Sequence, residues 1–245
     1  LGTNYKITLQ FDGTHYHGWQ YQTPKIKTIQ GELKKALKII AKKSIVVTGS
    51  SRTDAGVHSK GMMANFFLKI KIEPDSLMRA LNSLLPEDIR VIECQAVDKS
   101  FNARFHSIKK VYIYKMFIGQ TISPFKYRYF MHIPYPLNLR EMRKCLKHFK
   151  GEKDFSSFTS DDPDKKRIRE ISEIKMQVKG EEIFFTISGK SFLRYMVRNI
   201  IGTIIDVGRG KIRSQDIPVI FEAKDRRKAG QTAPARGLVL ERVEY

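Results

Sequence analysis

The sequence predicts an α+β fold of two tandem split-βαβ modules, each a small sheet with helices on one face. Two observations predict it. Strand-like alternation and helix-like periodicity succeed one another in the order βαββαβ, and the same order returns in the second half of the chain. No low-complexity linker separates the halves. Their sheets are therefore expected to join into one central mixed, mainly antiparallel sheet, with a cleft of the kind that ligands favour.

In the first half, Ile7, Leu9 and Phe11 alternate as a half-buried strand should, and Ile29, Leu33, Ala36, Leu37 and Ile40 fall on one helical face. Ile45–Thr48 and Met62–Leu68 are strand-like runs around a turn. Leu77, Leu81 and Leu84 then mark a helix closed by Pro86, and Ile89–Cys94 is the last strand. In the second half, Val111–Phe117 reads as a strand, and Asn138 with Glu141 three residues on caps a helix carrying Leu139, Met142, Leu146 and Phe149. Strands follow at Ile171–Val178 and Glu182–Ser188. Leu193, Met196, Val197, Ile200, Ile201, Ile204 and Ile205 trace an apolar helix that stops at Gly208, where Gly208-Arg209-Gly210-Lys211 acts as a terminator. A short helix follows Ser214 and a strand closes the chain at Leu238–Glu244. The modules, of the ferredoxin-like type, divide into residues 1–104 and 105–245.

Composition sets the class of partner. The 245 residues hold 45 Lys and Arg against 25 Asp and Glu, a formal charge of +20, which calls for a polyanion. With 41% hydrophobic residues the chain has material for a packed core, which excludes a disordered basic tail. Charge alone leaves nucleic acid, an anionic membrane and an acidic protein open; the Lys and Arg residues are spread along the chain and interleave with aromatics at Phe101–Phe105 and Phe125–Phe130, which suits base stacking and phosphate contact but equally suits ordinary strands with one solvated face. Cys94 and Cys145 stand apart from any second thiol or metal-spaced His, so neither a disulfide framework nor a metal site is expected. No apolar run is long enough to span a bilayer, and the first twenty residues lack a signal-type apolar stretch. A cytoplasmic protein without membrane contact is expected.

The most informative stretch is Ser51-Arg52-Thr53-Asp54-Ala55-Gly56-Val57-His58, set between two strands. Its Asp and Gly suit a turn, and a purely structural hairpin connection would account for them. Arg52–His58 resembles the RTDAGVH signature of the TruA family of tRNA pseudouridine synthases. Other blocks agree in order: Phe11-Asp12-Gly13-Thr14 with Tyr16, Gly18, Trp19 and Gln20; Thr28-Ile29-Gln30; Asn102–Phe105; Tyr112–Tyr114; Asp154–Phe158; Met196–Ile200 with Gly202; Ala223–Arg226; and Thr232–Leu238. The resemblance covers essentially the whole chain. It departs at Ser51, where the family commonly has Gly, and at Met62-Met63, where it has Gln-Val.

The resemblance implies an isomerase that turns uridine into pseudouridine in the anticodon arm of tRNA, at positions 38, 39 and 40, without a cofactor or metal and as a homodimer. It makes Asp54 the catalytic carboxylate, which either attacks covalently or stabilises charge as the glycosidic bond opens; both roles stay open to it. It sets Tyr112 against the uracil and Arg198 beside Asp54, where a guanidinium favours the ionised carboxylate. Tyr112 and Tyr114 share one face of their strand. A uridine in a stem must leave the stack before it reacts. Arg52 and Arg104 are expected to hold the displaced nucleotide in an RNA-binding cleft. Lys25, Lys27, Lys109, Lys110, Lys165, Lys166 and Arg167, in basic loops, are expected at phosphates. His58 is expected to bond within the signature turn. A synthase with another RNA target, or a non-catalytic RNA-binding module, would suit the charge and topology equally; Asp54, Tyr112 and Arg198 set the enzyme apart from the module. The apolar helix at 193–207 carries too few charges on one face for a membrane-surface protein.

Overall fold

The computed structural model describes residues 2–160 and 166–245. In chain order the elements are β1 (Thr3–Phe11), α1 (Ile29–Ala41), β2 (Val47–Gly49), β3 (His58–Leu68), α2 (Pro74–Leu84), β4 (Ile89–Val97), β5 (Lys109–Ile118), β6 (Met131–Ile133), α3 (Leu139–Cys145), β7 (Gly151–Asp154), β8 (Ile168–Ile171), β9 (Glu173–Lys179), β10 (Glu182–Gly189), α4 (Met196–Gly208), α5 (Ile217–Ala223) and β11 (Leu238–Glu244). The fold is mixed α+β. The chain divides into two compact units, Leu1–Ile108 with Val239–Tyr245, and Lys109–Leu238.

In the first unit the strands run β4-β1-β3-β11, with β2 also paired to β3. β1 is antiparallel to both neighbours, Ile7 lying opposite Ala64 and Cys94, whereas β11 is parallel to the start of β3, Val239 opposite His58. One face of β1 buries Tyr5, Ile7, Leu9 and Phe11, the alternation that the sequence predicts. From α1 come the buried Leu33, Ala36 and Leu37, and from α2 Leu77 and Leu81. The opposite face of β1 is polar. Asn4 and Asn65 bond each other at 3.1 Å and then take the backbone at Asp98, Phe101 and Ala103, which fastens the 98–103 loop to the sheet.

The second unit has β5-β10-β9, with β6 parallel on β5, and a separate β7-β8 pair. Its core joins Tyr114, Met116, Phe185 and Ile187 with Ile200, Ile201 and Ile204 of α4. Phe149, Phe155, Phe158 and Phe221 form a second cluster, ring centroids 4.8 Å apart for Phe158 and Phe221. Asn138 caps α3 by accepting from Glu141 N at 3.1 Å, as expected.

Several elements differ from the sequence reading. The run at Ile45–Thr48 pairs only from Val47, although Ile45 and Val47 are both buried. Leu84 is exposed and Leu85 buried, because α2 ends at Leu84 and the extended backbone at Leu85 returns that side chain inward. Ile171–Val178 breaks at Ser172, whose N–H and hydroxyl both donate to Ser188 O. The apolar helix begins at Met196, not Leu193, since Tyr195 before it has φ 60°. β6 and β7 were not expected; at three and four residues they carry too little periodicity to read. Among the described residues, no helix is long and apolar enough to cross a membrane.

Candidate active site

Residues 50–57 link β2 to β3 and carry Arg52, exposed, Thr53, buried, and Asp54, half-buried. Asp54 opens a turn that glycine makes possible: Val57 N donates to Asp54 O at 3.2 Å, and Gly56 has φ 78°. The first block of the chain holds this turn. Trp19 N donates to Thr53 O and Gly56 N to Tyr16 O, both at 3.1 Å. Gly18, at φ 86°, packs directly on Thr53 O, and Gly13 packs on Val57 O; a β-carbon at either would strike the carbonyl. The buried Trp19 indole packs against Gly49, where it fills the space a β-carbon would need. Tyr16 bonds Asp88, and burial first, then that carboxylate, raises its phenol far above the ordinary value.

His58 joins the same assembly. Its Nδ1 lies 3.1 Å from Gly13 N and 3.0 Å from Asp12 Oδ1, so a neutral ring accepts from the amide and a protonated one donates to the carboxylate. This is the bonding within the signature turn that the sequence suggested. Gln30 at the start of α1 completes the support: its carbonyl oxygen accepts from Tyr21 N at 2.7 Å and its amide donates to Val47 O at 2.9 Å. Ser51 does not disturb the turn. The only non-glycine residues with positive φ among those described are Lys42, Tyr195 and Lys224, so position 51 does not need glycine.

Tyr112 and Arg198 belong to the second unit. Tyr112, on β5 opposite Ile187, is buried, its ring edge-on to Phe192 with centroids 5.2 Å apart. Tyr114 on the same face donates to Pro234 O at 2.8 Å; burial raises its phenol well above the ordinary value, although Arg198 and Arg236 pull it down. Arg198 is half-buried in the first turns of α4. Its Nε donates to Ala233 O at 2.7 Å, its own carbonyl accepts from Ala233 N at 3.1 Å, and its guanidinium lies 5.1 Å from the Tyr195 ring centroid. Tyr195 carries a backbone conformation that an aromatic residue rarely adopts, and the Arg194 guanidinium lies 4.9 Å from its ring.

Sequence reasoning missed the residue that ties the C-terminal blocks together. Asn199, fully buried, donates from Nδ2 to Phe158 O at 2.8 Å, and its oxygen accepts from Arg226 at 3.0 Å and Thr232 at 2.6 Å. Thr203 one turn on donates to Asn199 O and accepts from Gly230 N. Gly202 lies so close to Gln231 O that no β-carbon fits. Three other blocks of the resemblance thus converge on one carboxamide, and an Asn inside an apolar helix was the signal for it.

The predicted RNA-facing cations divide. Lys25 and Lys27 lie exposed on the loop before α1, Lys27 with Nζ 4.5 Å from the Tyr16 ring centroid. Arg104 is exposed and stacks on Phe105 at 5.5 Å. Lys166 is exposed and Arg167 half-buried, while Lys165 lies outside the described residues. Lys109 and Lys110 correct the reading: they open strand β5 rather than sit in a loop, and Lys110 is buried. The thiols are kept protonated by burial, which pushes Cys94 up to about 11 and Cys145 to about 12.

Comparison with known proteins defines the class. A family model described as tRNA pseudouridine synthase matches residues 7–106 and 145–245. A tRNA pseudouridine synthase A of Thermodesulfovibrio yellowstonii is 42% identical over 254 residues, covering 99% of both chains. The enzymes of that name from Geobacillus sp. and Thermosipho melanesiensis are 44% and 41% identical, covering 98% of this chain and 97% and 99% of their own. The chain belongs to the TruA family of tRNA pseudouridine synthases.

Proposed function

We propose that this chain isomerises uridine to pseudouridine in the anticodon arm of tRNA, at positions 38, 39 and 40. The observation that carries the reading is the intact Arg52–His58 segment in a chain matched end to end by relatives of one name. The reaction breaks N1–C1′, turns the uracil and forms C5–C1′; C5 gives up its proton to solvent and N1, freed from the sugar, takes one up. It is redox-neutral. Asp54 is the reacting carboxylate, Arg198 the cation that keeps it ionised and Tyr112 the ring that meets the uracil. Asp54 lies in one unit and Tyr112 and Arg198 in the other.

The physical support is the turn itself. Asp54 is half-buried, on a loop held at Thr53, Gly56 and His58 by the Tyr16–Trp19 block, so its position is set before RNA arrives. Arg52 and Arg104, both exposed, hold the extruded nucleotide, and Lys25, Lys27, Lys166 and Arg167 meet phosphates. A cytoplasmic homodimer belongs to the same reading, with the two free cysteines consistent with a reducing compartment. The test is tritium release from a tRNA transcript labelled at uridine C5. Release that disappears when uridines 38–40 are replaced is expected; no release, or release unaffected by that replacement, would reject the proposal.

A further inference from the structure

Between β5 and β6 the chain makes a tight projection whose composition the catalytic reading leaves unused. Pro124, Phe125, Tyr127, Arg128 and Tyr129 are all exposed, Phe125 to 90%. Single exposed apolar residues are ordinary, but three aromatic rings within five residues form a patch. The projection is built. Lys126 N and Tyr127 N both donate to Ser123 O, and Tyr129 N donates to Lys126 O. At its base Gly119 N donates to Ile133 O at 3.1 Å, and His132 bonds Gly119 O at 2.7 Å. Lys126 is tied back to Glu182 at 2.6 Å, which fixes the stem between Phe125 and Tyr127.

The segment itself carries charge of one sign, although Glu182 of β10 lies against Lys126. Residues 99–140 contain no Asp or Glu, although they hold eight Lys or Arg. A second copy of this chain fits such a patch poorly. A two-fold interface would bring Arg128 and its rings against the same Arg and rings, with no acid in the segment to meet them. A polyanion with flat aromatic bases fits it well, because rings stack on bases while Arg and Lys meet phosphates. Resting on the tRNA reading above, we infer that the 123–130 projection is an RNA contact in which Phe125 stacks on an unpaired base of the tRNA, outside the reacting nucleotide.

The experiment measures, for wild type, Phe125→Ala and Phe125→Trp, tRNA affinity across a salt series, the single-turnover rate at saturating tRNA, and the oligomeric state. Phe125 is nearly fully exposed, so its replacement leaves the fold intact. Loss of one stacked base should weaken Phe125→Ala roughly five- to hundredfold. The slope of affinity against salt should stay unchanged, because no phosphate contact is lost, and so should the saturated rate. Phe125→Trp should bind like wild type, and its indole emission should be quenched as tRNA is added. Wild-type affinity in Phe125→Ala, an unquenched indole, or dissociation of a wild-type oligomer would overturn the inference. A wild type that binds tRNA but isomerises nothing would reject the proposed activity alone and leave the stacking contact standing.

Discussion

Arg198 and Tyr114 are fastened to consecutive carbonyls of one loop, Arg198 Nε to Ala233 O at 2.7 Å and the Tyr114 hydroxyl to Pro234 O at 2.8 Å. The loop in turn hangs on Asn199, which accepts from Thr232 at 2.6 Å. The aromatic face of β5 and the cation of α4 are therefore set by the same short segment, and its anchor should matter more than any of its own side chains. Asn199→Ala would remove one partner each from Phe158 O, Arg226 and Thr232, at a cost of about 3 kcal/mol. Urea unfolding should give a lower midpoint with an unchanged slope, and turnover should fall even where the variant remains folded. A midpoint equal to wild type would contradict the anchoring role.

Gly18 makes the corresponding prediction in the first unit. Its φ of 86° and its contact with Thr53 O leave no room for a β-carbon. Gly18→Ala should cost about 1–3 kcal/mol and push Thr53, and with it Asp54, out of place. Turnover should drop by roughly a hundredfold, as misplacement of a reacting group by an ångström does, with tRNA affinity nearly unchanged. Equal losses in affinity and rate would mean that the turn serves binding instead.

The acid limb of stability should carry a signature of the second unit. Burial works to raise the Asp154 carboxyl, but bonds from Ser156 and Lys224 outweigh it and hold it below the ordinary 3.8; Arg227 holds Asp225 lower still, at about 2. Both folded values lie below the unfolded one. Their contribution is thus complete above about pH 4 and is lost as pH falls through the folded values. Asp154→Asn should be about 1 kcal/mol less stable than wild type at pH 7, and the gap should close as pH falls below about 4. A gap that persists at the acid end would show that the substitution acts through packing.

Much of this arrangement was legible in the chain, for reasons that differ by residue. Ile7, Leu9 and Phe11 declared their strand because one face is buried and the other is not, and Asn138 declared its cap by its spacing to Glu141. Leu84 misled because periodicity does not record where a helix stops, and the next residue then takes the buried place. Lys110 misled because a long side chain that reads as surface can be carried into a buried strand position. The Asp54 turn was recognisable as a motif, yet its dependence on Gly13, Gly18 and Trp19 was not. Those contacts join residues some forty positions apart, and only the folded sheet brings them together.

Asp54 bears the most weight. Asp54→Asn keeps the size of the side chain and removes its charge and nearly all its nucleophilicity, so turnover should vanish by either of the two roles open to the carboxylate. Binding should survive, because affinity for a polyanion is spread over many Lys and Arg contacts and one carboxylate adds little to it. The fold should survive as well. The turn is held by backbone bonds, Val57 N to Asp54 O and Trp19 N to Thr53 O, that the substitution does not touch. Arg198 is held within its own unit by Ala233 O, so the melting temperature should shift by only a few degrees. Single-turnover tritium release from C5-labelled tRNA, run beside a binding titration and a thermal melt on one preparation, separates these outcomes. Wild-type release by a folded, tRNA-binding Asp54→Asn protein would remove Asp54 from the chemistry, and with it the roles assigned to Tyr112 and Arg198 around it.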